Sequence, residues 1–126
     1  MRDSFLPSLR IVALGAFLTA CDERPTVCNY NLVYGLTIVV TDSANGNPLV
    51  GLETIVEARD GAYVDTLEQV SATEYSDARE RAGTYSVKVQ RLGYRTWETN
   101  GIRVRQGECH VIPVRVNARL QAFDTL

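Results

Sequence analysis

Few side chains in this sequence are of a type that does chemistry: three cysteines, one histidine and one lysine-centred strand stand out among 126 residues. His110 follows Cys109 directly, and with a single histidine and no CxxC spacing a structural zinc site lacks its ligand set. Serine catalysis lacks a Gly-x-Ser-x-Gly elbow, and the lone histidine has no serine placed to serve as its nucleophile. His110 therefore reads as a rim residue of a strand rather than a base. Glu53 with Glu57, or Asp77 with Glu80, could form the paired carboxylates that glycoside hydrolysis requires, although solvated charged faces explain them more simply. Asp42-Ser-Ala-Asn-Gly-Asn47 has the acidic start of a calcium loop, but Ala44 stands where an alternating ligand is wanted, so a turn is expected. Lys88, the sole lysine, alternates with Val87 and Val89 and faces outward, which argues against an intramolecular isopeptide bond. Trp97, Tyr94, Tyr63 and Tyr75 could supply an aromatic platform for a sugar. Strand parity places Trp97 and Tyr94 on opposite faces, so Trp97 alone is kept as the candidate ligand-contact aromatic. No cofactor is implied.

The remaining cysteine sits in a different context. Arg2 and Arg10 precede the apolar run Ile11-Val-Ala-Leu-Gly-Ala-Phe-Leu18, too short to span a bilayer as a mature helix and patterned as a secretory signal. Leu18-Thr19-Ala20-Cys21 ends that run, and it resembles the processing site of a bacterial lipoprotein signal. Small residues suit a peptidase that grips extended backbone, and the Cys21 thiol is the nucleophile that takes up a diacylglyceryl group. Cleavage before Cys21 would leave it as a lipidated N-terminus. Acyl chains contribute about 0.8 kcal/mol per buried CH2, so a multiply acylated Cys21 holds a protein on a membrane without a transmembrane helix. With Cys21 assigned to lipid in an oxidising compartment, Cys28 and Cys109 form an even pair and read as a disulfide; two free thiols or zinc are the alternatives. The bond would close a loop of about 80 residues, which chain-entropy estimates put at about 4 kcal/mol.

These assignments divide the chain into a signal peptide at 1–20, a lipidated N-terminus and tether at 21–33, one domain at 34–120 and a tail at 121–126. A formal charge of −2 excludes general electrostatic attraction to nucleic acid. Within the domain the dominant pattern has a period of two. Leu36, Ile38 and Val40 give one apolar face near Tyr34 to Thr41. Thr54, Val56 and Ala58 oppose Ile55, Glu57 and Arg59 from Leu52 to Arg59. Asp60-Gly61 marks a tight hairpin into Ala62 to Leu67. The stretch from Gln69 to Arg81 reads as loop with an edge strand near Thr73 to Ser76. Tyr85, Val87 and Val89 form the clearest strand, between Gly83 and Gly93. Further strands are expected at Tyr94 to Thr99 and Ile102 to Arg105, separated by Asn100-Gly101. The last, Cys109 to Leu120, would turn Ile112, Val114, Val116, Ala118 and Leu120 to one side, with Pro113 marking an edge or bulge. Short strands with Gly-marked turns and no amphipathic helix predict an all-β, antiparallel seven-stranded sandwich.

Leu36-Thr-Ile-Val-Val-Thr-Asp42, Asn45-Gly46-x-Pro48-Leu-Val-Gly51, Asp60-Gly61, Gly83-Thr-Tyr85, Gly93-Tyr94 and the closing Val/Arg-alternating strand together resemble the carboxypeptidase regulatory-like domain. This is a transthyretin-like (prealbumin-like) sandwich with an Ig-like Greek key. The resemblance covers about Leu36 to Leu120. It implies a non-catalytic module that accompanies enzymes, outer-membrane receptors and lipoproteins, and Cys28 and Cys109 are additions pointing to a lipoprotein subgroup. The histidines and C-terminal Tyr-Arg-Gly-Ser of the hydroxyisourate hydrolases are absent, the chain ending Phe-Asp-Thr-Leu. The expectation is a lipid-anchored sandwich in the bacterial envelope, facing the periplasm or exterior, that binds or scaffolds an envelope protein or glycan and is not an enzyme. A carbohydrate-binding module is the alternative, and a small carboxylate-dependent hydrolase a more distant one.

Overall fold

Alternating apolar and polar residues build strands throughout. The computed structural model describes residues 24–124 and Gly15. The expected signal segment, apart from Gly15, and Cys21 lie outside the described residues. The strands are β1 (Tyr34–Asp42), β2 (Thr54–Asp60), β3 (Tyr63–Thr66), β4 (Glu68–Gln69), β5 (Glu74–Arg79), β6 (Gly83–Arg91), β7 (Trp97–Gln106), β8 (Val111–Ile112) and β9 (Val114–Leu120). They form a four-stranded sheet in the order β4-β5-β1-β9 and a five-stranded sheet in the order β3-β2-β6-β7-β8. The fold is an all-β sandwich with no helix among the described residues. Neighbours run antiparallel except β1 and β9, which are parallel from Leu36 opposite Val114 to Asp42 opposite Leu120.

Nine strands stand where seven were expected, because two stretches change sheets midway. β3 belongs to one sheet and β4 to the other, with buried Leu67 between them donating its amide to the Val56 carbonyl at 2.8 Å. Pro113 separates β8 from β9 in the same manner. Proline has no amide to give to a ladder, so pairing stops there and resumes in the opposite sheet. The crossover also reverses the facing expected of one continuous strand: Val111 is buried and Ile112 is exposed.

Two further expectations are corrected. Asn100-Gly101 does not separate two strands; it is a bulge inside β7, between the pairs Tyr85–Ile102 and Val87–Thr99, with Gly101 at φ 69°. Glycine meets the positive φ that such a bulge demands. The strand expected at an edge near Thr73 to Ser76 is β5, which lies inside its sheet between β4 and β1. Its apolar contribution is only Tyr75 and Ala78, and Ala78 itself has φ 54°, a kink that breaks the alternation.

Leu36, Ile38 and Val40 of β1, Val56 of β2, and Tyr85, Val87 and Val89 of β6 are at most 1% exposed and meet between the sheets. Burying each aliphatic side chain contributes about 1.5–3 kcal/mol. Tyr85 also carries a polar tip into the core. Its hydroxyl donates to the Arg81 carbonyl at 2.8 Å and accepts from Arg81 Nη1 at 3.0 Å. Its ring meets Tyr63 edge-on at 6.2 Å, and the Arg81 guanidinium lies 3.8 Å over the Tyr63 ring and 2.9 Å from Asp60. This cluster fastens the corner before β6 to the β2–β3 hairpin. A Cβ at Gly83 would meet the Asp60 carboxylate, so a larger residue there would displace that side chain from its place beside Arg81.

Candidate functional site

A groove of roughly 420 Å³ lies on the outer face of the five-stranded sheet, lined by Glu57, Arg59, Lys88, Glu98 and Asn100 among others. Strand register explains its charge pattern, because Glu57 is opposite Lys88 and Lys88 opposite Glu98 on three adjacent strands. Opposite charges on cross-strand neighbours stabilise such a face modestly. Arg59 Nε donates to Glu57 Oε1 at 2.7 Å, and that bond is the main cause that holds the Glu57 carboxyl below its ordinary range. A carboxyl held ionised at neutral pH cannot act as a general acid, and no histidine or cysteine lines this groove. The groove offers charged and amide side chains to polar groups.

A second cluster lies where the N-terminal segment meets the start of β8. Cys28 and Cys109 form a disulfide with Cα atoms 5.2 Å apart. His110 sits beside it with Nδ1 2.6 Å from Glu80 Oε1 and Nε2 2.9 Å from Asn29 Oδ1. Glu80 also accepts from the Val33 amide at 2.8 Å and the Val111 amide at 3.2 Å. Burial pushes the Glu80 carboxyl up, but those amides and His110 outweigh it and leave the group below its usual range. Thr26 Oγ1 donates to the Glu108 carboxylate. Both ring nitrogens of His110 are thus engaged with side chains that pin the segment, so the cluster is a clamp rather than an acid–base site.

The carboxylate pairs considered from the sequence are not brought together. Glu53 faces Arg91 at 3.5 Å while Glu57 holds Arg59, and Asp77 and Glu80 serve different partners. The pair that does meet is Asp65 of β3 and Asp77 of β5. Burial first, then the charge and hydrogen bonding of Asp65, raise the Asp77 carboxyl. Tyr63 donates to Asp65 at 2.9 Å, and burial together with that bond pushes its phenol up to about 12. Sequence carried no signal for the Asp65–Asp77 approach, since β3 and β5 do not pair in one sheet. A raised carboxyl favours its protonated form in the folded state, so Asp77 costs stability as pH rises through its folded-state value. Asp77→Asn should therefore melt a few degrees above the wild type at pH 7. The difference should vanish in acid, as thermal melts across pH would record.

Asp42 closes the turn whose acidic start resembles a calcium loop. Its Oδ2 accepts from the Tyr94 hydroxyl at 2.7 Å and its Oδ1 from the Ala44 amide at 2.7 Å, and these bonds, Tyr94 first, hold its carboxyl low. Among the described residues no group of three or more His, Cys, Asp or Glu is placed to hold a metal ion. Trp97 is half-buried and packed against the core, so it does not present a platform on the groove. Neither protein-family models nor curated protein sequences yield a match to this chain.

Proposed function

We propose that this chain is a bacterial lipoprotein whose β-sandwich, of the carboxypeptidase regulatory-like, transthyretin-like kind, binds or scaffolds an envelope partner and catalyses no reaction. The Cys28–Cys109 bond carries the reading. A paired cystine belongs to an oxidising compartment, and here it fastens the segment that follows Leu18-Thr-Ala-Cys21 to the body of the sandwich. From a lipidated Cys21 to Cys28 the chain spans no more than about 25 Å, which keeps the sandwich close to the membrane that anchors it. The groove with its charge-paired carboxylates and the engaged His110 favour a binding surface over an active site.

Labelling of the full chain in a bacterial host with a palmitate analogue tests the anchor. Label in the wild type and none in Cys21→Ser, with the variant lost from the membrane fraction, is the expected outcome. Label that persists in Cys21→Ser contradicts it, and turnover by the purified protein on an ester, peptide or glycoside panel contradicts the non-catalytic role.

A further inference from the structure

We propose that the free edge of β9 receives an extended acidic segment of a partner polypeptide, which adds to the four-stranded sheet as a fifth strand. The proposal rests on the binding role above and is independent of the lipid anchor.

β9 ends its sheet, with β1 on one side and no strand on the other among the described residues. An edge strand exposes alternate N–H and C=O groups that template another strand, and proteins usually blunt such edges by shortening, bulging, proline or charged side chains. The other three sheet ends are short: β4 and β8 have two residues each and β3 has four. β9 has seven residues, and neither a proline nor a shift in its register with β1 interrupts it.

The space beside β9 faces β7, which approaches it without pairing. β8 covers β7 only at Arg105 and Gln106, so the outer edge of β7 from Trp97 to Val104 is also unpaired. Near the other end the two edges are tied by Arg95 donating to the Gln121 carbonyl at 2.8 Å and Phe123 donating to the Gly93 carbonyl at 3.0 Å. Val114 and Val116 of β9 and Trp97 and Ile102 of β7 pack against the core but remain only half-buried. A strand added to β9 would turn alternate side chains toward these four, and apolar residues there would complete their burial.

The other set of side chains on that strand would lie on the outer face beside Arg115, Asn117 and Arg119. From Arg91 to Arg119 every charged residue is arginine apart from Glu98 and Glu108. Arg115 pairs with Glu74, whereas Arg119 reaches only the Ser43 carbonyl, at 3.3 Å. The same arginines disfavour a second copy of this chain. An antiparallel β9–β9 pair centred on Asn117 would set Arg115 against Arg119 twice, and like charges directly opposite each other are destabilising. The partner chemistry that fits is therefore an extended segment alternating apolar residues with carboxylates.

The test uses two capped octapeptides of alternating valine and glutamate or valine and lysine, titrated into the protein. Trp97, the only tryptophan, reports binding by fluorescence, and amide NMR shifts locate it. The acidic peptide should saturate, bind at least about tenfold more tightly than the lysine peptide and perturb amides of Val114–Leu120. Arg115→Glu/Arg119→Glu should reverse the preference, and Arg119→Glu, which leaves the Glu74 pair intact, should reduce it; thermal melts establish that both variants are folded. Arg79→Gln, on β5 with β1 between it and β9, should change nothing. Equal binding of the two peptides, shifts confined to the Lys88 groove, no saturation by millimolar peptide, or self-association through β9 each overturns the proposal. A partner captured by a photo-crosslinker at Lys88 and not at Asn117 would sink strand addition while sparing the binding role; turnover without any partner would sink that role itself.

Discussion

Replacing Cys28 and Cys109 together by serine should lower the melting temperature by upwards of about 10 °C. Cross-links closing loops of this order contribute about 2–4 kcal/mol, and one kcal/mol moves the midpoint of a domain this size by about 4–8 °C. The bond joins the N-terminal segment to the turn before β8, so its loss frees the unfolded chain far more than it disturbs the sheets. The contacts that remain on the segment include Thr26 with Glu108, Asn29 with His110, and Val33 with Glu80 through both its amide and its carbonyl. Surface contacts of this kind are weak. Hydrogen exchange should therefore accelerate first in the amides between Thr26 and Val33, while those of β1 and β6 keep their order of protection. The clamp is also acid-sensitive. Glu80 is held low, so its contribution is present above the ordinary carboxyl range and fades as pH falls below about 4. Circular dichroism melts with and without reductant measure the first effect, and an unchanged midpoint would remove the disulfide from the account of stability.

Tyr85→Ala should cost about 3–5 kcal/mol, enough to leave a domain of this size largely unfolded near body temperature. Tyr85 is fully buried and among the largest side chains between the sheets, so truncation opens a cavity beneath Tyr63. The polar tip can be separated from the ring by Tyr85→Phe. That change keeps the packing but leaves the Arg81 carbonyl without its donor and Arg81 Nη1 with Asp60 alone. A loss of about 1–2 kcal/mol is expected, since a hydrogen bond in a partly buried site contributes about that much. Urea unfolding of both variants gives the two numbers. Equal costs would mean that the ring contributes little and the hydroxyl network most of the stability.

The period-two face of Leu36, Ile38 and Val40 and that of Tyr85, Val87 and Val89 were readable because side-chain direction in a strand depends only on parity. Asp60-Gly61 was readable because a two-residue turn needs positive φ, which Gly61 adopts at 59°. Parity fails where the backbone leaves the regular strand. Gly101 adopts positive φ inside β7, which therefore reads as two strands, and the charged, Ser/Thr-rich stretch that holds β5 reads as an edge although β5 lies inside its sheet. At Pro113 the residue type announced an interruption, but only the three-dimensional path tells that the chain passes to the other sheet and buries Val111 in place of Ile112. The groove depends on the register Glu57–Lys88–Glu98 across three strands, and register is set by tertiary pairing that no local window contains. For the same reason Asp65 and Asp77 could not be matched. Cys21 is a different case: its reading as a lipid site rests on the short motif Leu18-Thr-Ala-Cys21 alone, and it lies outside the described residues.

Intact-mass spectrometry of the protein extracted from bacterial membranes tests the central claim most directly. The account predicts a chain that begins at Cys21, carries added acyl mass on that residue, and is two hydrogens lighter than the reduced form until a reductant opens Cys28–Cys109. A mass that retains residues 1–20, lacks the acyl addition, or takes up alkylating reagent at Cys28 and Cys109 without reduction would contradict it.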